Sequence, residues 1–249
     1  MPFDFLVRLS QPVLSITGTT SLSSTDFGRM HVCTGTSANY TVTLPSPTNN
    51  SGGFIGFIMD GGLTKLVTIA QNASETIDGA TSRVMWANEI AILYCDGTNW
   101  IKIGGKSTLM ACQMYPAGST TVPNTTFTPV LVDSVTRDNT GAMADTTNHQ
   151  IKIVRPGAYS ISALAIWNNV NPSINTQLRV ERNGTGESSE ALVPFASASY
   201  PSMNVNYINS ACAVGDVFTF SVYQQSGSSS SIPGTAINAN LIVTELTTW

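Results

Sequence analysis

Charge is what this chain has least of. Only 10% of its 249 residues are Asp, Glu, Lys or Arg, where an ordinary soluble domain carries roughly a quarter. The 11 basic residues are scattered singly and the net charge is −4. Nothing there could neutralise a phosphate backbone, which argues against a nucleic-acid binder. No basic run suits an anionic membrane surface. Long hydrophobic runs are missing too: no stretch of eighteen apolar residues could span a bilayer as a helix, so membrane insertion is not expected. The opening "MPFDFLVRLSQPVLSI" is interrupted by Asp4 and Arg8 and does not read as a secretory signal. Residues 1–13 leave two readings open, an apolar arm that docks on a partner or an ordinary first strand.

Metal and nucleophile chemistry is equally sparse. Cys33, Cys95, Cys112 and Cys212 form no CxxC pair, and each lies in an apolar run. That pattern predicts free, buried thiols and folding in a reducing cytoplasm. His31 and His149 are the two histidines. No GxSxG elbow accompanies them, and both are expected to be structural or surface residues. With no HxxxH, Cys/His cluster or DxDxDG loop, neither a metal site nor a cofactor is expected. "WIKIGGKST" contains GKS, but Trp100 stands where a phosphate loop needs glycine, and a strand-like segment follows it. Paired carboxylates would suit glycan cleavage. The candidates Asp133, Asp138 and Asp145, with Glu187 and Glu190, all sit near turns, where solvation of the turn accounts for them. No catalytic residue is predicted.

What fills the chain is Ser, Thr, Asn and Gly around short runs of Val, Ile, Thr, Tyr and Phe. These runs recur roughly every 8 to 12 residues between turn formers, with almost no helical periodicity, and predict an all-β protein. In "EIAILYCDGTNWIKIGG", Asp96-Gly97 is expected to make a tight primed hairpin turn, covered by Trp100. A boundary falls at "GGKST", with Gly104-Gly105 as a flexible hinge. It separates a module over 14–105 from a second domain over 109–249. No repeat is visible in either half, and hence no long β-helix.

The second domain is the more legible. Strands are expected at "LMACQMY", "FTPVLVD", "NHQIKIV", "AYSISALAIW", "NTQLRVER", "SEALVPFA", "MNVNYINSACAV", "DVFTFSVYQ" and "INANLIVTEL". "DVFTFSVY" puts Phe218, Phe220 and Val222 on one face; "TQLRVER" puts Leu178 and Val180 inward. "AYSISALAIW" differs: Tyr159, Ile161, Ala163, Ala165 and Trp167 share one face, while Leu164 and Ile166 make the other apolar too. In the last strand Ile237, Ala239, Leu241 and Val243 share a side, with Ile242 and Leu246 opposite. A second apolar face asks for a second partner, either another copy of the chain or a layer from the first module.

Four signatures in order resemble the C1q/TNF-like jelly roll: Pro156, Gly157 and Tyr159; Arg182, Asn183 and Gly184; Gly215 with Asp216; and the terminal apolar strand. The resemblance covers about residues 109–249. It implies a jelly-roll β-sandwich that forms a homotrimer through its inner sheet, with Leu164, Ile166 and Ile242 on the seam. Leu241 departs from it, standing where that family usually has an aromatic. In the first module, Asn39, Tyr40, Leu44 and Pro45, then Ile77, Asp78, Gly79, Asp96, Gly97 and Trp100, resemble a module of bacteriophage fibre and minor tail proteins. That resemblance implies a virion component. Its arm and first module would meet other virion proteins.

Strand succession places loops 168–175, 197–202 and 226–235 at one end of the second domain. They are Asn- and Ser-rich with one aromatic, a composition suited to a neutral or polyhydroxylated surface such as a host glycan. Asn168, Asn169, Asn171, Tyr200, Ser228 and Ser229 are the candidate contacts. Two other roles stay open: a purely structural head decoration or fibre-joining protein, and a small glycan hydrolase or esterase.

Overall fold

The computed structural model describes residues 13–168, 175–192 and 201–246. The chain is all-β and divides into two compact units at Thr108/Leu109.

The first unit contains β1 (Leu14–Ile16), β2 (Thr20–Ser21), β3 (Arg29–Cys33), β4 (Tyr40–Thr43), β5 (Phe54–Met59), β6 (Val67–Ala70), β7 (Ser82–Met85), β8 (Ile90–Cys95) and β9 (Trp100–Lys106). These form two sheets, β1-β3-β5-β8-β9 and β2-β4-β6-β7. β1, β3 and β5 run parallel, as do β2, β4 and β6. The chain therefore winds three times between the sheets, a short two-sided solenoid that β7 to β9 close with antiparallel pairing. This short winding is not a long β-helix, and the sequence pattern did not mark it. The first-sheet strands begin at 14, 29 and 54, so the winding has no fixed period and leaves no repeat in the sequence. Ile55, Phe57 and Leu93 are buried between the sheets, and Trp100 stacks on Phe27 at 5.6 Å.

Two local expectations in this unit change. Gly104 and Gly105 are not a hinge: both pair with β8, opposite Ile92 and Ala91, beside a register shift. Gly105 has φ +130° and lies against the Ile90 carbonyl, where a Cβ would collide, so glycine is required by close backbone approach. The β8–β9 connection is also longer than a two-residue primed turn. Cys95 pairs with Trp100, leaving residues 96–99 as the loop. Asp96 accepts from the Thr98 and Asn99 amides at 2.7 and 2.6 Å, and the positive φ belongs to Gly97. An Asx-type side-chain turn has replaced the backbone one.

The second unit contains β10 (Ala111–Tyr115), β11 (Thr120–Val122), β12 (Thr128–Pro129), β13 (Ser134–Asp138), β14 (Ala144–Asp145), β15 (Gln150–Lys152), β16 (Gly157–Ile166), β17 (Thr176–Arg182), β18 (Thr185–Leu192), β19 (Ser202–Cys212), β20 (Val217–Gln224), β21 (Ser230–Ile232) and β22 (Ala239–Glu245). One sheet runs β13-β10-β22-β16-β19; the other runs β14-β15-β20-β17-β18, with β12 added on β20. β11 and β21 form a separate ribbon. Apart from the β14–β15 and β17–β18 hairpins, the chain passes from one sheet to another between successive strands, and every pairing is antiparallel: a jelly-roll sandwich. Tyr159, Ile161, Ala163 and Ala165 of one sheet and Leu178, Val180, Phe218, Phe220 and Val222 of the other are fully buried, as the alternation predicts. The Tyr207 and Phe218 rings meet edge-on at 6.5 Å.

Here too the sequence reading needs amendment. "FTPVLVD" supplies only the two residues of β12, while β11, β13, β14 and β21 are strands that the pattern did not mark. Ile237 precedes β22 and is 79% exposed, and Leu246 follows it, so neither belongs to a face of that strand. All four cysteines are free and buried. Burial raises the Cys33 and Cys212 thiols to about 11 and Cys112 to about 12.

Candidate recognition end and assembly face

The described ends of the segments 168–175 and 197–202 meet the stretch 226–235 at one end of the sandwich. Where β16 ends, the Trp167 amide donates to the Pro201 carbonyl at 2.8 Å, and the Asn168 amide donates to the Ser231 carbonyl at 2.8 Å. Ser230 Oγ donates to the Asn168 carbonyl at 3.3 Å. The stretch 226–235 is not an open loop, however, because it contains β21, paired along β11. Gln224 anchors its start. That buried side chain donates from Nε2 to the carbonyls of Val122 (3.1 Å) and Ser228 (2.7 Å), and its Oε1 accepts from the Ser226 amide (2.7 Å). Asn124 Oδ1 accepts from the Gly227 amide at 2.8 Å.

Ser228 and Ser229 are exposed at the turn so formed, and Asn168 is half-buried beside it. Asn169, Asn171 and Tyr200 lie outside the described residues. Asn124 and Gln224 were missed as parts of this end. Their only sequence signal is the Pro123-Asn124 turn pair and a glutamine at the end of an otherwise apolar strand. The surface is neutral and rich in hydroxyl and amide groups, and its backbone is tied down by side-chain hydrogen bonds.

The opposite end is closed by the residues of the family signature. Arg182 Nη2 donates to Asp216 Oδ2 at 2.6 Å, and Asn183 Nδ2 donates to Asp216 Oδ1 at 2.8 Å. The Ala213 amide also donates to Asp216, at 2.7 Å, and Asn183 Oδ1 accepts from the Val217 amide at 3.0 Å. The β17–β18 hairpin turn and the β19–β20 connection between the sheets are thereby latched together, with Asn183, Gly184 and Gly215 at positive φ. Burial pushes the Asp216 pKa up, but hydrogen bonds from Asn183, Ala213 and Arg182 outweigh it and hold the carboxyl below its ordinary range. Nearby, Arg155 and Glu245 form a buried two-point ion pair, with Nε to Oε1 at 2.8 Å and Nη2 to Oε2. Glu245 Oε2 accepts from the Met110 amide at 3.0 Å, and Tyr159 donates from its hydroxyl to the Arg155 carbonyl at 2.8 Å. Burial, with Glu245 adding to it, pushes the Tyr159 phenol up.

Two of the expected carboxylate candidates, Asp138 and Asp145, are engaged by their own turns. Asp138 accepts five hydrogen bonds: the Thr140, Gly141, Met143 and Ala144 amides and the Thr140 hydroxyl. Asp145 accepts from the Asn148 amide and side chain and from Gln150, the Asn148 side chain contributing most to keeping its pKa low. Asp133 accepts from the Ala117 amide at 2.7 Å. Glu187 is exposed, and the Glu190 side chain lies outside the described residues. His31 is buried against Phe57; burial lowers its pKa, opposed by Asp26 at 3.9 Å. Among the described residues no group of three His, Cys, Asp or Glu could hold a metal ion.

Leu164, Ile166 and Ile242 do share the outward face of β13-β10-β22-β16-β19, where each is half-buried. That face is less apolar than expected. Ser160 and Ser162 alternate with Leu164 on β16, and Asn204 and Asn206 stand opposite Leu164 and Ser162 on β19. Asn206 Nδ2 donates to Asn204 Oδ1. Ile208, 67% exposed, lies at the β19 edge.

No protein-family model and no curated protein matches this chain. Among solved structures, murine APRIL at pH 5.0 aligns over 56% of this chain and all of its own, at 12% identity and a TM-score of 0.43. Eiger TNF from S. frugiperda aligns over 57% of this chain and 94% of its own, at 10% identity and a TM-score of 0.43. PRD1 vertex protein P5 aligns over 58% of this chain and all of its own, at 16% identity and a TM-score of 0.41. The strand order of the C-terminal unit is that of a jelly-roll β-sandwich.

Proposed function

We propose that this chain is a bacteriophage virion structural protein, part of a fibre or of a tail or head appendage. It assembles as a homotrimer and turns the loop end of its sandwich toward a host-surface component such as a glycan. The N-terminal arm and first unit meet other virion proteins. One observation carries the reading. Segments 167–168, 201 and 226–232 converge on one neutral end, while the short latched turns occupy the other. Exposed hydroxyl and amide groups on a hydrogen-bonded frame suit a polyhydroxylated ligand, and three copies convert weak single contacts into avidity.

The test is binding of the full-length protein to an array of bacterial lipopolysaccharides and capsular polysaccharides, with light scattering to establish the trimer. Wild type is expected to bind at least one glycan. Ser228→Trp with Ser229→Trp is expected to weaken that binding more than tenfold with the trimer intact. A trimer that binds no glycan, or binding indifferent to the double substitution, would overturn receptor recognition at this end.

A further inference from the structure

Among the described residues, the outward sheet face richest in apolar side chains is on the first unit, where most of them are half-buried. On sheet β1-β3-β5-β8-β9, Ile55, Phe57, Ala91, Leu93 and Cys95 point inward and are fully buried. Their neighbours on the opposite side are also apolar. Register aligns Phe54 with Tyr94 and Ile101, and Ile58 with Ile90, and puts Ile92 beside Gly56. Ile101 and Ile103 are 40% and 61% exposed at the β9 edge. Gly56 leaves room for Met30 of the adjacent strand to lie flat, since a Cβ there would collide with Met30 Sδ. The result is a smooth face. Lys106, opposite Ile90 at one corner, is the one charge among the strand residues described on it.

Size and charge together select the occupant. Five strands about 4.8 Å apart, with about five residues each, cover roughly 400 Å². That is the size of the largest, often functional, apolar patch on a monomer, and about half of what each partner of a free-standing complex buries. Such a face is too small to hold an independent partner by itself. It suffices for a surface already held at high effective concentration. An uncharged face also buries against its own copy without stranding a charge.

We propose that this face packs against the same face of neighbouring copies. The proposal rests on the homotrimer reading above. It gives the first unit an assembly role of its own.

The experiment is site-directed cross-linking in the full-length protein. Its background is low because all four native thiols are buried. Ile92→Cys and Tyr94→Cys place a thiol on the proposed seam; Thr68→Cys places one on the other sheet as a control. A bis-maleimide spanning about 10 Å is applied at low micromolar protein, with light scattering run in parallel. Ile92→Cys or Tyr94→Cys is expected to give cross-linked dimers at least five times more abundantly than Thr68→Cys. Trimers in which neither position exceeds the control would overturn this proposal and leave the homotrimer standing. Monomers by light scattering would overturn the homotrimer reading and this proposal together.

Discussion

The outward sides of the two five-stranded sheets present different chemistry, and the difference follows from how each sheet is built. In the sandwich, β16 and β22 are central antiparallel strands whose inward residues are apolar except for Glu245 at the end of β22. Their outward residues mix Leu164, Ile166 and Ile242 with Ser160, Ser162 and Thr244. In the solenoid, β5 and β8 sit at the junction of parallel and antiparallel pairing, and "FIGFIM" and "IAILYC" are apolar on both sides. Antiparallel strands with one wet face alternate; near-continuous apolar runs mark strands covered twice. By that rule the solenoid sheet makes the stronger demand for a second covering layer. The sandwich face can be satisfied partly by hydrogen bonds across a seam. Aspartate substitutions sharpen this contrast. Ile166→Asp would put a carboxylate among Ser and Asn at the proposed sandwich seam and is expected to abolish the proposed trimer in light scattering. Ile92→Asp is expected to leave a trimer whose first units no longer cross-link. An intact trimer for Ile166→Asp would remove the sandwich sheet from the seam.

The interiors differ as well. The solenoid interior is mostly hydrocarbon, with Phe57, Leu93 and Trp100 at zero exposure, beside the buried His31 and Glu89. The sandwich encloses an ion pair. Glu245→Ala takes the carboxylate from a guanidinium that is only 4% exposed and from the Met110 amide. Breaking a buried pair from one side costs about 3–5 kcal/mol. The sandwich transition in calorimetry is expected to fall by that amount, with the solenoid transition unmoved. A coupled fall of both would show that the two units unfold as one. The converse perturbation is Gly105→Ala. A methyl forced against the Ile90 carbonyl at φ +130° is expected to cost about 1–3 kcal/mol and to act on the solenoid transition alone.

These contrasts explain what could be read in advance. Alternation in "DVFTFSVY" and "TQLRVER" placed Phe218, Phe220, Leu178 and Val180 correctly because a half-wet antiparallel strand writes its two faces directly into the sequence. The solenoid was invisible because its rungs differ in length, and a winding without a period has no signature. β11, β13, β14 and β21 are two to five residues long and built largely of Ser, Thr and charged residues, so nothing distinguished them from turns. Their pairing is supplied by a partner strand a hundred residues away in the case of β11 and β21. The ends of the sandwich split along the same line. Arg182, Asn183 and Asp216 were visible as a motif, though not as one latch. Arg155 and Glu245, ninety residues apart, left no trace of their pairing.

That latch gives the smallest effect, and its sign can be worked through. The folded-state pKa of Asp216 lies below its ordinary value. The ionised carboxylate therefore stabilises the fold above the unfolded pKa of about 3.9, and this stabilisation is lost as pH falls through the folded value. Asp216→Asn keeps the shape and removes the charge, so its deficit should be greatest near neutrality, roughly 1 kcal/mol for a charge-assisted hydrogen bond in a partly solvated turn. The deficit should shrink toward zero between pH 4 and pH 2, in a window set by a lowered carboxylate pKa. Thermal unfolding of wild type and variant across that range tests it: converging curves at low pH are expected. A constant offset would mean that Asp216 holds the two turns by hydrogen-bond geometry alone, and that Arg182 contributes nothing through its charge.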